Sequence, residues 1–539
     1  MTALPPEPGG ATAAASRGPG RQAAPPADGG EAIRRRGAAG LAISALSFAL
    51  TATVAVLGPS LMEPALPVGD GRSRWSGAPW SLAVHLSPYL IVALSGAAIA
   101  TAVIGLIISL NACKRGWSPS AMLILLAGMA GAIILAFLPP IGSSDHLSYA
   151  AYGRMALTGH DPYTSTAAML ARLGDPVARA VQDWRTSPSV YGPAAVAGQA
   201  FAAWIGGTSV RLIIFVLSLL NVAAFAVTGL LLYWLRRGDP AGQLRAALVW
   251  TANPLLLMVL VAGAHVDSQA IVFGVGGVAV AFTAMRTRPG AFTWAASGAL
   301  IGAGFAIKVT TVLVGAALAL GCVSRWGQPN GTPRSRLAAF IGLATGFCVA
   351  GALSLVPWGT GIFAPAGRAS SFTSIGSPWR SVRSVLRLVT GEGAAEDLVK
   401  AGALLLGVAL AIMLLRRIRA GDLTGGTERL LPACAFALVF AWLLAWPYVL
   451  PWYDGLGWAM LALMPATRFD WLMVARTAAL AIGYLPARGI SLPVGLGWLQ
   501  TVVRTAITPA ALLVILILAV SWRRHLVDQP PQFDKPQGG

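Results

Sequence analysis

The sequence predicts an all-α polytopic membrane protein. The composition is 56% hydrophobic and only 11% charged, and the mean hydropathy is +0.69. Apolar runs of roughly 20 residues recur along the chain, each long enough to cross a hydrocarbon core of roughly 30 Å as a helix. Strands of a membrane barrel would read instead as short alternating segments.

The elements follow in order. Residues 1–37 are rich in Pro, Gly and Ala and read as a disordered tail. Arg34-Arg35-Arg36 place that tail in the cytoplasm, because positive charge is retained on the inner side. Spans at 38–60 and 84–110 return to Lys114-Arg115. A third, 121–138, emerges at Pro139-Pro140 into an outward loop, 139–210, where the apolar segment 190–207 reads as a re-entrant or interfacial helix. The run 211–233 returns to Arg236-Arg237. Runs 246–262 and 268–285 form an outward hairpin ending at Arg286 and Arg288, and 292–307 and 309–323 meet at Lys308, with Arg325 inside. Span 337–356 opens a second outward loop, 357–397, and 398–415 ends at Arg416-Arg417. Span 430–449 leads to a third outward stretch, 447–454. Runs 455–465, 472–486 and 503–522 complete about 14 spans, with Arg523-Arg524 inside. The membrane unit thus covers 38–524, and 525–539 is a second loose cytoplasmic tail.

The formal net charge of +19 is spread over short turns, where it sets orientation and meets anionic lipid, so a nucleic-acid partner is not expected. Cys113, Cys322, Cys348 and Cys434 are far apart in or beside apolar runs and read as small hydrophobes, not a disulfide framework or a metal site. Most of the 62 glycines are expected at close helix contacts. No Walker sequence, nucleotide-binding glycine loop or HExxH is present.

Against this background a polar island stands out: Ser143-Ser144-Asp145-His146, followed by Tyr149, Tyr152, Arg154, His160, Asp161 and Tyr163. A carboxylate directly after a span is partly desolvated, which raises its pKa toward that of a general base. If 145–155 is helical, Asp145, Tyr149 and Tyr152 share a face. An ordinary loop acid or helix cap is the other reading. A second outward feature is His265-Val266-Asp267, where the aspartate can orient the imidazole or assist an acceptor directly; a structural polar turn fits equally. The third is Lys308, whose ammonium needs a counter-charge that a lipid-linked phosphate would supply, unless it snorkels. Arg154, Arg185, Arg368, Arg380, Arg383 and Arg387 add outward positive charge. Outward aromatics, including Tyr163, Trp184, Tyr191, Trp358, Tyr448 and Trp452, suit an interfacial belt. Tyr448 and Trp452, beside Asp454, also suit contact with a sugar ring.

The stretch from Asp145 through His-Asp-Pro-Tyr163, followed by Ser187-Pro-Ser-Val-Tyr191-Gly-Pro193, resembles the actinobacterial polyprenyl-phosphomannose-dependent α-1,6-mannosyltransferases that build lipomannan. These are multi-span glycosyltransferases of the GT-C class. Gly263-Ala-His-Val-Asp-Ser268, the Lys308 region and Trp446 through Trp452 support the likeness over about 38–524.

The resemblance implies a GT-C fold in the plasma membrane with its active site on the outer side. A polyprenyl-phosphomannose donor, a mannosylated glycolipid acceptor and surrounding membrane lipids are the implied partners. Asp145 matches the position of the base, although two spans precede its own span where simpler members of the class have none, which makes Glu63 a rival. Lys308, Arg154 and Arg380 are candidate ligands of the donor phosphate. His146, Tyr149, Tyr163, Tyr191, His265, Asp267, Tyr448, Trp452 and Asp454 are candidate substrate contacts. Many enzymes of the class use a divalent cation; no compact carboxylate cluster commits this chain to one. An arabinosyltransferase or another polyprenyl-sugar enzyme, and a polyprenyl-lipid flippase, are the alternative functions.

Overall fold

The computed structural model describes residues 27–67, 75–287, 290–324, 331–363, 367, 369–421 and 427–521. Residues 1–26, Arg288, Arg325, Arg368, Arg523-Arg524 and the second tail lie outside them. The described residues are helical, with no strand among them. α1 (Ala27–Val56) and α2 (Pro88–Lys114) pack along their length. A methyl group on Gly40 would lie 2.5 Å from Ser109 Oγ and 3.1 Å from the Gly105 carbonyl, so only small residues let these backbones touch. α1 starts at Ala27, which makes 27–37 helical instead of part of a loose tail.

α3 (Ala121–Ala136) is capped by Ser120, whose hydroxyl accepts from the Leu123 N–H. The loop after it carries α4 (Asp145–Leu157), α5 (Ala167–Arg172), α6 (Pro176–Arg179) and α7 (Pro193–Gly206). α7 covers the segment expected as re-entrant or interfacial: it packs on α4 and on α8 (Val210–Leu235), while Phe201, Trp204 and Ile205 are exposed.

The run expected at 246–262 is broken. α9 (Pro240–Val249) ends at Trp250, and Asn253 caps the short α10 (Pro254–Leu256) by accepting from Leu255 and Leu256 N–H. The chain continues as a π-turn over Leu257–Val261. α11 (Asp267–Thr287) and α12 (Ala291–Phe305) follow, then a tight turn at Val309–Thr311 leading into α13 (Val312–Val323), and α14 (Pro333–Leu355). Gly298 and Gly302 of α12 interleave with Gly342 and Gly346 of α14; a Cβ on Gly346 would sit 1.9 Å from the Ala295 carbonyl. The remaining helices are α15 (Pro378–Thr390), α16 (Glu392–Gly421), α17 (Thr427–Ala445), α18 (Asp454–Ala462), α19 (Phe469–Gly483) and α20 (Thr508–Ser521), the last entered through a π-helical stretch, Leu499–Ile507.

Eight helices among the described residues are long and apolar enough to cross a membrane, and four shorter apolar ones accompany them. The runs expected at 455–465 and 472–486 form α18 and α19, of nine and 15 residues. At 1.5 Å per residue these rise about 14 and 22 Å, so neither spans the core alone, and the expected count of 14 is not met by full-length crossings.

The partition into two ends follows the expected register. At one end, Arg245 of α9 donates to Asp470 at 2.6 and 2.9 Å, Lys114 lies 3.9 Å from the same carboxylate, and Arg236 reaches the Leu463 carbonyl. At the other, the Gly142 N–H donates to Met62 at 2.7 Å, Ala487 donates back to Gly142, and Arg488 donates to the Ser60 carbonyl. The polar island lies at this second end, clasped by the loops after α1, α3 and α19.

Candidate active site

Asp145 is the first residue of α4, preceded by Ser143 and Ser144, which are both buried. The Asp145 N–H points to Ser143 Oγ at 3.4 Å, and Ser144 Oγ donates to Asp183 at 2.5 Å. A carboxylate in the first helical turn is favoured by the helix dipole, and here the turn is anchored from outside the helix. Asp145 and Tyr149 lie one turn apart, as the sequence spacing requires. Tyr149 Oη meets Tyr191 Oη at 3.2 Å with the rings edge to face, and Tyr152 donates to the Ser187 carbonyl. The two sequence motifs are thus one structural unit. The second also docks against the Lys308 turn: Gly192 N–H donates to the Ile307 carbonyl, and a Cβ on Gly192 would lie 2.1 Å from the Ala306 carbonyl.

His265 faces this helix, with Nδ1 3.7 Å from Asp145 Oδ2, within electrostatic reach but beyond hydrogen-bond length. Its ring stacks on Trp452 with centroids 3.6 Å apart and planes within 12°. Burial, Lys308 and His146 hold His265 well below its ordinary pKa, so the imidazole is neutral. The turn that presents it is strained: Ala264 has φ +51°, a region costly for residues with a Cβ. Asn221 of α8 fixes that turn by donating to the Ala264 carbonyl at 2.7 Å, and Gln269 in turn donates to Asn221.

Asp267 begins α11 and is ion-paired with Lys308, whose ammonium also sits 3.7 Å from the centre of the Tyr453 ring. The counter-charge expected from a phosphate is therefore supplied, in this state, by Asp267. Lys308 still has N–H donors to spare, since an ammonium carries three. Beside the pair lies a small recess of about 10 Å³ whose lining includes Asp267, Lys308, Thr310, Thr311, Trp442 and Tyr453. Val309 and Val312, on the same turn, are exposed. The pocket thus adjoins an apolar outer surface.

Asp145 feels both walls of this site. Burial pushes its carboxyl up to about 7; Lys308 opposes the shift, and Asp267 and Asp183 add to it. Such a group exists in both protonation states near neutrality, which suits a general base. The rival, Glu63, is 2% exposed, and burial pushes it up to about 8 against the pull of Arg488. Burial thus favours its protonated form.

Several expected contacts fall elsewhere. Arg154 is held by Asp175 through Nε at 3.0 Å and Nη2 at 2.9 Å, and Asp175 also caps α6, so this guanidinium is tied up in the loop structure. Arg380 is exposed on α15, which packs on α16 and α20 and not on the helices that carry Asp145 or Asp267. Asp454 is fully buried, ion-paired with Arg476 and accepting from Thr477 at 2.7 Å. It lies in the bundle interior. His146 is fully enclosed, with neither ring nitrogen partnered among the described residues, and burial lowers its pKa to about 3. Tyr163 is buried against Trp358. Tyr448 contacts Phe372 and Tyr453. Among the described residues no three His, Cys, Asp or Glu side chains gather into a cation site, and no step below is routed through a metal.

Sequence reasoning missed Asp183 and Arg476 as members of these networks, and read Tyr453 only as one of the outward aromatics. Arg476 carried a usable signal, a charge within an apolar run. Asp183 carried none, because its partners are set by loop packing.

Comparison with known proteins agrees with the motifs. Alpha-(1->6)-mannopyranosyltransferase A of Corynebacterium glutamicum is 27% identical over 249 residues, covering 42% of this chain and 46% of that protein. Along that match the chain spans less than half the length of its relative. The alpha-(1->6)-mannopyranosyltransferase Rv1459c of Mycobacterium tuberculosis is 27% identical over 457 residues, 72% of each chain. A family model described as "Alpha-(1->6)-mannopyranosyltransferase, N-terminal domain" matches residues 43–324, which include Asp145, His265, Asp267 and Lys308. With more than half of its length matched, the chain belongs to the alpha-(1->6)-mannopyranosyltransferase family.

Proposed function

We propose that this protein is a plasma-membrane, GT-C-type transferase that moves mannose from polyprenyl-phosphomannose to the 6-hydroxyl of an α-mannoside, with inversion, on the outer face of the membrane. The observation that carries this reading is the placement of Asp145. Its carboxyl, held near 7, faces neutral His265 at 3.7 Å and lies within the field of the Asp267–Lys308 pair.

In this mechanism Asp145 takes the proton of the attacking 6-hydroxyl as the new C–O bond forms at the anomeric carbon. The bond to the polyprenyl phosphate breaks on the opposite face, giving an α product from a β-linked donor. The leaving phosphate departs as a stable anion, and Lys308, with Thr310 and Thr311 in the same cavity, stabilises the charge that develops. The exposed Val309 and Val312 suit a lipid tail lying in the bilayer beside the phosphate. His265, locked on Trp452, orients the base.

The test is mannose transfer from polyprenyl-phosphomannose to a short α-1,6-mannoside by purified protein in lipid, comparing wild type with Asp145→Asn at equal folded amount. General-base loss should cost on the order of 10²–10⁴-fold in rate. Equal rates would move the base to Asp267 or Glu63. Well-folded wild type that transfers nothing would remove this donor.

A further inference from the structure

A line of aromatic rings leads from the protein surface to the catalytic centre. Trp184 stacks on Phe372 at 5.6 Å, Phe372 meets Tyr448 at 5.7 Å, Tyr448 meets Tyr453 at 6.1 Å, and Tyr453 meets Trp452 at 6.4 Å. Trp452 is the ring on which His265 lies. The outer end is open: Trp184 is 45% exposed while its ring lies within 27° of parallel to that of Phe372.

Trp184 is also held in a conformation it would not adopt unaided. Its φ is +60°, a left-handed backbone that is rare for a bulky residue, and such strain persists where the surroundings over-determine it. They do so here. Asp183 accepts from Ser144, Ser148 Oγ donates to the Asp183 carbonyl, Ala168 N–H donates to Arg185, and Ser187 N–H donates to Trp184. Phe372 is fixed independently, because Ser374 is stapled to Val449 in both directions at 2.9 Å. An interfacial anchor needs neither a strained backbone nor a continuous path to a base, whereas a sugar subsite gains from both.

We infer that Trp184 and Phe372 form an outer acceptor subsite for a hexopyranoside unit remote from the reacting hydroxyl, so that the enzyme favours an oligosaccharide acceptor over a monosaccharide. This rests on the acceptor named under the proposed function and specifies its length and binding track. The neighbour of Trp184, Asp183, holds the residue before Asp145, so a sugar stacked on Trp184 steadies the first turn of α4 as well as adding contact area.

The experiment compares kcat/KM for an α-1,6-mannotetraoside with that for a simple α-mannoside, in wild type, Trp184→Ala and Trp184→Phe, together with calorimetric binding of both sugars to donor-free protein in nanodiscs. Wild type should prefer the tetraoside. Trp184→Ala should reduce that preference about tenfold, and Trp184→Phe, which keeps a stacking ring, should recover most of it. If wild type transfers mannose but the preference is unchanged in Trp184→Ala, or both acceptors lose equally as thermal stability falls, the subsite is overturned while the reaction stands. If wild type transfers nothing yet binds the tetraoside in a Trp184-dependent way, the reaction falls and the subsite stands. Absence of both transfer and binding overturns both.

Discussion

Asp145 is governed by charges that can be changed one at a time. Its carboxyl is raised to about 7 mainly by burial, with Asp183 adding negative potential and Lys308 subtracting it. If the deprotonated form is the base, kcat/KM rises with pH along a limb centred near 7. Asp183→Asn should move that limb toward lower pH, since a neighbouring negative charge that favoured the protonated form is gone; a pH–rate profile over roughly pH 5–9 measures it. A limb that stays in place would mean the titrating group is not Asp145. Glu63 offers a contrasting case in stability. Its folded pKa, about 8, lies above its unfolded value, so its contribution to stability is fully present below the unfolded pKa and is lost as pH rises toward 8. Glu63→Gln should therefore flatten the fall in thermal stability between about pH 5 and 8 while transfer persists. A variant with the same pH-dependent melting as wild type would contradict the buried, protonated assignment.

At the scale of helices, two kinds of contact determine what may be substituted. The α12–α14 seam places the Gly346 Cα against the Ala295 carbonyl. Gly346→Val forces the helices apart and should cost about 1–3 kcal/mol, read as a lower unfolding temperature in detergent. The α18–α19 contact is ionic. Asp454 and Arg476 are both buried, and Arg476 also donates to the Leu443 carbonyl at 2.8 Å. Asp454→Asn leaves the guanidinium unpaired and should cost about 3–5 kcal/mol, whereas Asp454→Asn with Arg476→Met should recover part of it. If Asp454→Asn instead raised the acceptor KM with stability intact, Asp454 would be a substrate contact after all.

These helices also show what the sequence made legible. Apolar length placed most helices within a few residues, because the hydropathy of a segment depends on local composition. The facing of Asp145 and Tyr149 followed from spacing once 145–155 was taken as helical, and the helix itself runs Asp145–Leu157. The break in the run expected at 246–262 was written in Asn253-Pro254, a capping and stopping pair, but continuous hydropathy hid it. The ion pairs of Arg154 and Asp454 were hidden for another reason: their partners, Asp175 and Arg476, lie 21 and 22 residues away and are chosen by packing, which no local pattern encodes.

The molecule as a whole separates its chemistry by end, and that separation predicts its orientation. Residues expected on the cytoplasmic side meet one another, as in Lys114 with Asp470, Arg236 with Leu463, and Arg417 with the Ala519 carbonyl at 3.0 Å. The loops expected outside meet at the Asp145 end. If the donor is lipid-linked, as proposed, it enters from one leaflet, and the side on which this end lies decides which pool the protein can use. In a background with the four cysteines replaced, a cysteine introduced at Arg185, which is exposed two residues from Asp183, should react with an impermeant maleimide on intact cells. One introduced at Arg237, exposed beside the opposite charge cluster, should react only after permeabilisation. The reverse pattern would turn the whole bundle over. Every helix contact would survive, but Asp145 would then face the cytoplasm, and the outer-face transfer proposed above would be excluded.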